Sequence, residues 1–343
     1  MSDRAAVVAA LSELAQKPST AHELRAEPGE TFSAPAFERL RDYIQSIETR
    51  TQLNELIAEV APLIGAADPF RGAVVAVQCG TFVEWGGDHA LVAPHLLAAL
   101  PRHLELAQRA EDTTFDAEPD AHRARAGLTF LMLATMAVLC RDVAHRRAAR
   151  ANPALVAGVE ALRESHNETG FVAQVLGFTD DVELLALVPG EGKGFRVRLE
   201  AVATCAHLFT LLQAELIGGG HLSGDPLDDA VVAVARGEVP HTQHMHDSAR
   251  FHYCAWFGMQ ANGELDGMNM GSWLPVDYDP GAIPLFDGVP VVLIGPKGLG
   301  SRSWDSNFFA NIHDALRSRA EIVEVLTPEA AGTWIEKIRA ARA

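Results

Sequence analysis

The sequence predicts a mixed α+β fold, in which a helical N-terminal half packs on a smaller α/β C-terminal portion. From the N-terminus to about residue 166, apolar residues recur with the 3.6-residue period of amphipathic helices. Beyond about residue 170, two strand-like segments surround a turn rich in Pro and Gly, which is typical of a β-hairpin. The chain then closes with a strand, helix, strand, helix pattern. We therefore expect an all-helical region over 1–168 and an α/β region over 169–343, which can form one continuous domain.

The helical half is predicted to be a bundle or a HEAT-like array. Two clear amphipathic segments are AFERLRDYIQSI at 36–47 and QLNELIAEVAPLI at 52–64. Short loops separate six or seven such helices of roughly 12 to 20 residues, and short loops favour antiparallel neighbours. Because no repeat of fixed period is visible, the bundle is the preferred alternative.

The chain has the features of a soluble protein of a reducing compartment. Its most apolar run, AGLTFLMLATMAVLC at 126–140, is shorter than the roughly 20 residues needed to span a bilayer, and predicts a buried core helix. The N-terminal segment carries charges on both sides of its apolar stretch, unlike a secretory signal. The four cysteines are far apart and form no CxxC pair. The simplest expectation is the bacterial cytoplasm, with no membrane partner.

The charge of the chain argues against nucleic acid as a partner. Lys and Arg total 28 against 45 Asp and Glu, so the formal net charge is -17. Such a field repels a phosphate backbone wherever no local basic patch reverses it.

The C-terminal region begins with a predicted hairpin, VELLALV at 182–188 and FRVRLEAVA at 195–203, joined by PGEGKG. A helix over about 204–217 should end at a triple glycine. A short helix should follow, with Asp225 as its N-cap and Pro226 at its first position.

The last part of the chain predicts a βαβα unit. Its members are the strand VPVVLIG (289–295), the helix SNFFANIHDALRSR (306–319), the strand AEIVEVL (320–326) and a closing helix that starts at TPEAAG. A crossover of this kind favours a right-handed connection between two parallel, paired strands.

Residues 241–257, HTQHMHDSARFHYCAWF, concentrate side chains that bind metals. If 251–257 is a strand, His252 and Cys254 share one face. If 243–247 pairs with that strand through a DSAR turn, four ligands can face one ion. These candidate ligands are His244, His246, His252 and Cys254.

Imidazole and thiolate suit zinc, iron or copper better than calcium or magnesium. The segment has no recognised metal-binding spacing, however, and histidines beside a buried strand also serve as caps and hydrogen-bond partners. This structural role is the preferred interpretation.

A second candidate site is GPKGLGSRSW at 295–304, which follows a predicted buried strand. Gly298 and Gly300 would let backbone amides approach an anion, and Lys297 and Arg302 would add positive charge. The spacing matches neither a P-loop nor a dinucleotide fingerprint, and a tight turn is the alternative explanation.

The segment EWGGDHALVAPHLLAALPRH is rich in polar groups but contains no HExxH motif. Asp88 is better explained as a helix N-cap than as a base. His95 and His103 are eight residues apart and should lie on one side of a helix.

Two functions follow from these features. In the first, the chain is a non-catalytic binding or accessory protein that recognises a protein partner or a small anionic ligand through its C-terminal loops. In the second, it is a metal-dependent enzyme with a His/Cys site at 241–254 beside the 295–304 loop, where Lys297 or Arg302 stabilises negative charge. The first is preferred, because the second requires both candidate sites at once.

Overall fold

The computed structural model describes residues 4–26, 28–240, 245–247, 251–265, 270–295, 302–304 and 309–342, with only the backbone at 28, 29, 245–247, 270 and 302–304. The chain divides into two compact units, Met1–Leu176 and Gly177–Ala343. The first is helical and the second contains a mixed six-stranded sheet, so the predicted α+β fold class is confirmed.

The first unit is built from helices joined by short loops. In chain order they are α1 (Arg4–Ala15), α2 (Pro28–Thr31), α3 (Pro35–Ile44), α4 (Arg50–Val60), α5 (Leu63–Ala66), α6 (Pro69–Glu84), α7 (Ala93–Arg109), α8 (Pro119–Leu139), α9 (Val143–Arg150), α10 (Pro153–Leu162) and α11 (Asn167–Gly177). Their first residues show why they begin there: Thr49 and Gln52 form a capping box at α4, and Asp68 caps α6 ahead of Pro69.

The helix predicted from the apolar run at 126–140 lies at the centre of this unit. It forms most of α8, and α6 packs closely against it. Glycines make the approach possible, because a Cβ on Gly127 would lie 2.8 Å from the Ala73 Cβ, and one on Gly80 would lie 3.0 Å from the Ala134 Cα. Within the described residues, no helix has both the length and the apolar character needed to cross a membrane.

The second unit is organised around a sheet with the strand order β4-β6-β1-β2-β8, to which β5 adds by pairing with β6. The strands are β1 (Val182–Val188), β2 (Lys193–Glu200), β3 (Met245–Asp247), β4 (Tyr253–Ala255), β5 (Leu285–Phe286), β6 (Val289–Ile294), β7 (Arg302–Trp304) and β8 (Arg319–Val325). The helices are α12 (Cys205–Gly218), α13 (Asp229–Ala235) and α14 (Pro328–Arg342). The predicted hairpin is β1 and β2, and β1 also pairs in parallel with β6.

Both faces of this sheet are covered by apolar residues. Leu184 and Val292 face a core that includes Leu208 of α12, whereas Leu185 and Leu293 face a core that includes Ala331 of α14. Continuous apolar strands such as VELLALV are expected when a strand is buried on both faces. The central strands of the sheet therefore lie between two helical layers.

The predicted pairing of the two C-terminal strands is wrong. β6 and β8 are separated in the sheet by β1 and β2, and β8 pairs antiparallel with β2. The hairpin occupies the place between them, since β1 pairs with β6 on one side while β2 pairs with β8 on the other.

The predicted helix over 306–319 is also wrong where residues 309–318 are described, because these residues are not helical. Tertiary bonds hold the segment instead: the Ser318 amide donates to the Arg236 carbonyl, and the Ser318 hydroxyl donates to the Ala201 carbonyl. The Ser318 amide, which a helix would bond to the carbonyl four residues earlier, is thus bonded outside the segment.

The helix after the triple glycine starts later than predicted. Asp228, and not Asp225, is its N-cap, and the Asp228 carboxylate accepts a hydrogen bond from the Ala230 amide at 2.8 Å. The sequence DPLDD offers three Asp residues as caps, and the predicted choice rested on Pro226 at the first helical position.

The short strand β3 forms a separate two-stranded sheet with β7. The predicted hairpin between 243–247 and 251–257 is therefore wrong over the described residues, since Tyr253–Ala255 pairs with β6. The main sheet offers β4 the longer apolar strand β6 as a partner. By pairing there, β4 is buried on both faces.

Candidate functional site

The four predicted metal ligands are only partly described. His244 lies outside the described residues, and His246 is described only as a backbone position in β3, opposite Ser303 of β7. His252 and Cys254 are fully described. Because the expected hairpin does not form, the pairing that would have brought HxH opposite HxC is absent from the described strands, and the four-ligand site stays a prediction.

Of the strand predicted at 251–257, only Tyr253–Ala255 is a strand, and a 3-10 turn follows at Trp256–Gly258, but the predicted alternation of faces holds. Phe251 and Tyr253 pack in the core beside α12, and Cys254 packs in the core beside α14. Cys254 is completely buried among apolar neighbours that include Met259. Its position is that of a small core residue.

His252 lies against the start of the glycine-rich loop. Its ring stacks on Trp273, with centroids 5.7 Å apart and an interplanar angle of 16°. A Cβ on Gly295 would lie 2.5 Å from His252 Nε2, and the Gly295 amide donates to the His252 carbonyl at 2.9 Å. Position 295 therefore requires glycine, because the His252 imidazole leaves no room for a Cβ.

The predicted anion loop is mostly outside the described residues. This holds for Lys297, Gly298 and Gly300, whereas Arg302 is described as a backbone position in β7. Anion binding by these four residues therefore stays a prediction.

The structure describes a different cleft, which lies wholly within the helical unit. Its volume is about 550 Å³, within the range typical of small-molecule sites. One wall is the α7 face that carries His95, Ala98 and Arg102, and the opposite wall is the junction of α5 with α6. The placement of His95 and His103 on one side of a helix is confirmed, because both line this cleft.

Arg102 is the charged group of the cleft that differs most from the others. It is exposed, and its side chain forms no ion pair or hydrogen bond within the described part of the chain. A second hollow of about 410 Å³ shares Arg102, Leu106 and Asp120 with the cleft, so the guanidinium stands where the two hollows meet.

The other charged groups of these hollows are already paired. Arg109 pairs with Glu118, and Arg123 pairs with Asp120 while donating to the Ser19 carbonyl. These contacts leave Arg102 as the cation that can receive an anion there.

Two further groups of the cleft have fixed hydrogen-bonding roles. The Asp68 carboxylate accepts from the Ser19 amide and hydroxyl and from the Phe70 amide, at 2.9 to 3.0 Å. His103 Nε2 lies 2.8 Å from the Ala124 carbonyl, to which it donates, and burial lowers the pKa of His103 to about 4. His103 is therefore neutral at pH 7.

Burial makes three of the thiols poor nucleophiles. All four cysteines are buried. Burial raises the pKa of Cys79, Cys140 and Cys205 to about 12, because the thiolate loses its hydration there. These thiols stay protonated at neutral pH.

Sequence reasoning did not find one cluster that the fold assembles in the helical unit. His89 follows α6, whereas Asp142 and His145 stand at the start of α9, and their ligand atoms lie within 4.8 Å of one another. Asp88 beside it has the predicted role, because its carboxylate caps the turn at His89–Leu91 by accepting from the Ala90 amide. The two histidines are 56 positions apart, so no local spacing connects them.

No family model, curated protein or solved structure matches this chain. The fold and the cleft define it as an α+β protein that has a helical unit with a cation-bearing cleft and a second unit with a mixed sheet.

Proposed function

We propose that the chain is a non-catalytic binding protein that holds a small anionic molecule in the cleft of its helical unit. The observation that carries this proposal is Arg102, an arginine without an acidic partner at the junction of two hollows, in a chain with a net charge of -17. A guanidinium binds carboxylate or phosphate through two parallel hydrogen bonds.

The remaining surface of the cleft favours a ligand with a short apolar part. Ala98 and Ala99 of α7 form one side, and Ile64 and Pro69 lie on the other. Apolar walls with few polar groups are typical of small-molecule sites, in which the polar groups fix orientation. A small carboxylate or phosphate with an apolar tail fits this distribution.

The polar groups beside Arg102 support binding rather than covalent chemistry. The described lining contains no Ser, Thr, Cys, Lys or Tyr side chain. His103 is neutral and donates its Nε2 proton to a carbonyl, and Asp68 is occupied by several donors. Anion recognition by the 295–304 loop and a protein partner for the helical surface are further parts of this proposal.

A thermal-shift screen tests the proposal. Carboxylates and phosphates of increasing apolar length are compared with neutral amides of the same shape, on the wild type, Arg102→Gln and Arg39→Gln. Arg39 is an exposed arginine of α3 outside the cleft, so its variant makes the same change in net charge. Anions should raise the melting temperature of the wild type and Arg39→Gln only. Equal shifts in all three proteins would refute the proposal.

A metal-dependent enzyme remains the second candidate, with its site at 241–254 beside the 295–304 loop. It is favoured by the contact of His252 with Gly295 and by the pairing of β3 with β7, which sets the His246 backbone opposite Ser303. Zinc or iron bound there would activate water or polarise a substrate.

Elemental analysis of the purified protein tests this second candidate. Near-stoichiometric metal that is lost in His246→Ala and in Cys254→Ala would support it. Metal that survives in both variants would exclude those two side chains as ligands.

A further inference from the structure

The cluster at the start of α9 brings two imidazoles and a carboxylate together. His89 Nδ1 lies 2.8 Å from His145 Nε2, and the rings meet edge to face with centroids 5.0 Å apart. One ligand atom from each ring and one oxygen of Asp142 all lie within 4.8 Å of one another. All three side chains are half-buried, so solvent ions can reach them.

From this geometry we infer that His89, Asp142 and His145 form a binding site for a divalent transition metal ion, with Zn²⁺ as the best fit. Two histidines and a carboxylate are a common zinc donor set. Ligands held at roughly 2.0 to 2.2 Å from a tetrahedral ion are about 3.3 to 3.6 Å apart, so small side-chain rotations suffice to reach that spacing. The fourth position is left to water.

The chemical state of the three side chains suits an ion. At 2.8 Å the two ring nitrogens share one hydrogen, so one of them already presents a lone pair. When an ion replaces that hydrogen, each neutral ring carries its proton on the other nitrogen, and both lone pairs face the metal.

Asp142 is held in place without losing its capacity to bind. One oxygen caps α9 by accepting from the Ala144 amide at 2.7 Å. Its second oxygen accepts no hydrogen bond within the described part of the chain, and can turn to an ion. The hydrogen bond from Ala144 orients the Asp142 carboxylate, and carboxylates that bind metals are usually hydrogen-bonded in this way.

The site is independent of the anion cleft, because none of its three residues lines that cleft. A bound ion would connect the segment between α6 and α7 to the corner between α8 and α9. It would therefore cross-link parts of the helical unit that are far apart in sequence.

Equilibrium dialysis of the metal-free full chain against Zn²⁺, in the presence of a weak competing chelator, tests the inference. The variants are His89→Asn, His145→Asn and Asp142→Asn, the last of which keeps an oxygen for the helix cap. His22→Asn is the control, because His22 is an exposed histidine of the same unit. Folding of each variant is checked by circular dichroism.

We expect one Zn²⁺ per chain in the wild type and in His22→Asn. Each of the three site variants should bind at least about tenfold more weakly, since even the loss of an outer-shell partner costs 10- to 100-fold. Co²⁺ should give tetrahedral d–d absorption without a thiolate charge-transfer band.

Three results would overturn the inference: no binding in the wild type, unchanged affinity in the three variants, or a thiolate band that disappears in Cys254→Ala. The last would place the ion at the His/Cys segment of the second unit.

Discussion

At the scale of single residues, the contact between Phe209 of α12 and Tyr253 of β4 connects helix and sheet in the second unit. The rings stack with centroids 4.0 Å apart and an interplanar angle of 2°, and the Tyr253 hydroxyl donates to the Phe209 carbonyl at 3.2 Å. Both side chains are buried. Mutation can therefore separate the contribution of ring packing to stability from that of the Tyr253 hydrogen bond.

Phe209→Ala should lower the free energy of unfolding of the second unit by about 3 to 5 kcal/mol, because it leaves a cavity in the core. Tyr253→Phe should lower it by only about 1 kcal/mol, because it removes one hydrogen bond and keeps the ring. Urea denaturation followed by circular dichroism measures both. Equal losses in the two variants would contradict this division.

Several single-residue roles were predictable, and others were not. Alternation placed Tyr253 and Cys254 on opposite faces correctly, because a strand's side-chain period is fixed by its backbone. The meeting of His89 with His145 depends on how α6 and α9 are arranged in space, which no local pattern encodes. An unpaired Arg102 is likewise visible only after the partners of its neighbours are known.

At the scale of elements, the close packing of α6 on α8 depends on glycines. Gly127→Ala should destabilise the helical unit by about 1 to 3 kcal/mol, because its Cβ would overlap the Ala73 Cβ at 2.8 Å. Gly65→Ala is the matched control, since nothing lies within 4 Å of a Cβ there. That change should be neutral or stabilise the helix by up to about 1 kcal/mol. Thermal denaturation compares them, and a loss of stability in Gly65→Ala alone would reverse the expectation.

The N-terminus of α6 is held by Asp68, which also binds the buried Ser19. Asp68→Ala should therefore cost about 2 to 4 kcal/mol, the sum of a lost cap and of an unsatisfied buried amide. Asp228→Ala, at a cap where the carboxylate accepts one hydrogen bond, from the Ala230 amide, should cost only about 1 kcal/mol. Chemical denaturation of the two variants tests the difference, which equal losses would disprove.

The elements that sequence alone predicted well are those with long, regular apolar patterns. The hairpin of β1 with β2, the strand β6 and the helix α8 are examples. The segment 309–318 has a helical pattern but is held by bonds from Ser318 to distant backbone groups. The prediction that β6 pairs with β8 failed for the same reason, because strand pairing depends on the whole sheet and not on segments that are adjacent in sequence.

At the scale of the whole molecule, the described part of each unit contains a buried neutral histidine. His103 lies beside the Ala124 carbonyl and His207 beside the Ala235 carbonyl, and burial lowers the pKa of each to about 4 from its usual 6.5. Between these two values the unfolded chain binds protons that the folded chain does not. Stability should therefore be highest above pH 6.5 and fall as the pH decreases towards 4.

Urea titrations at pH 7.5 and pH 5 measure this effect, which should amount to about 2 kcal/mol for each histidine. His103→Asn should reduce the pH dependence of the helical unit while leaving that of the second unit unchanged. A stability that does not change between these two pH values would show that the histidines titrate normally in the folded chain.

The central claim is that the helical unit binds an anion through Arg102. Isothermal titration calorimetry tests it most directly, with the anion that gives the largest thermal shift, on the wild type, Arg102→Gln and Arg39→Gln. We expect one site per chain, and a loss of about 10- to 100-fold in affinity for Arg102→Gln alone, as for a lost charged hydrogen bond. Wild-type affinity in Arg102→Gln would contradict the claim, and so would an equal loss in both variants.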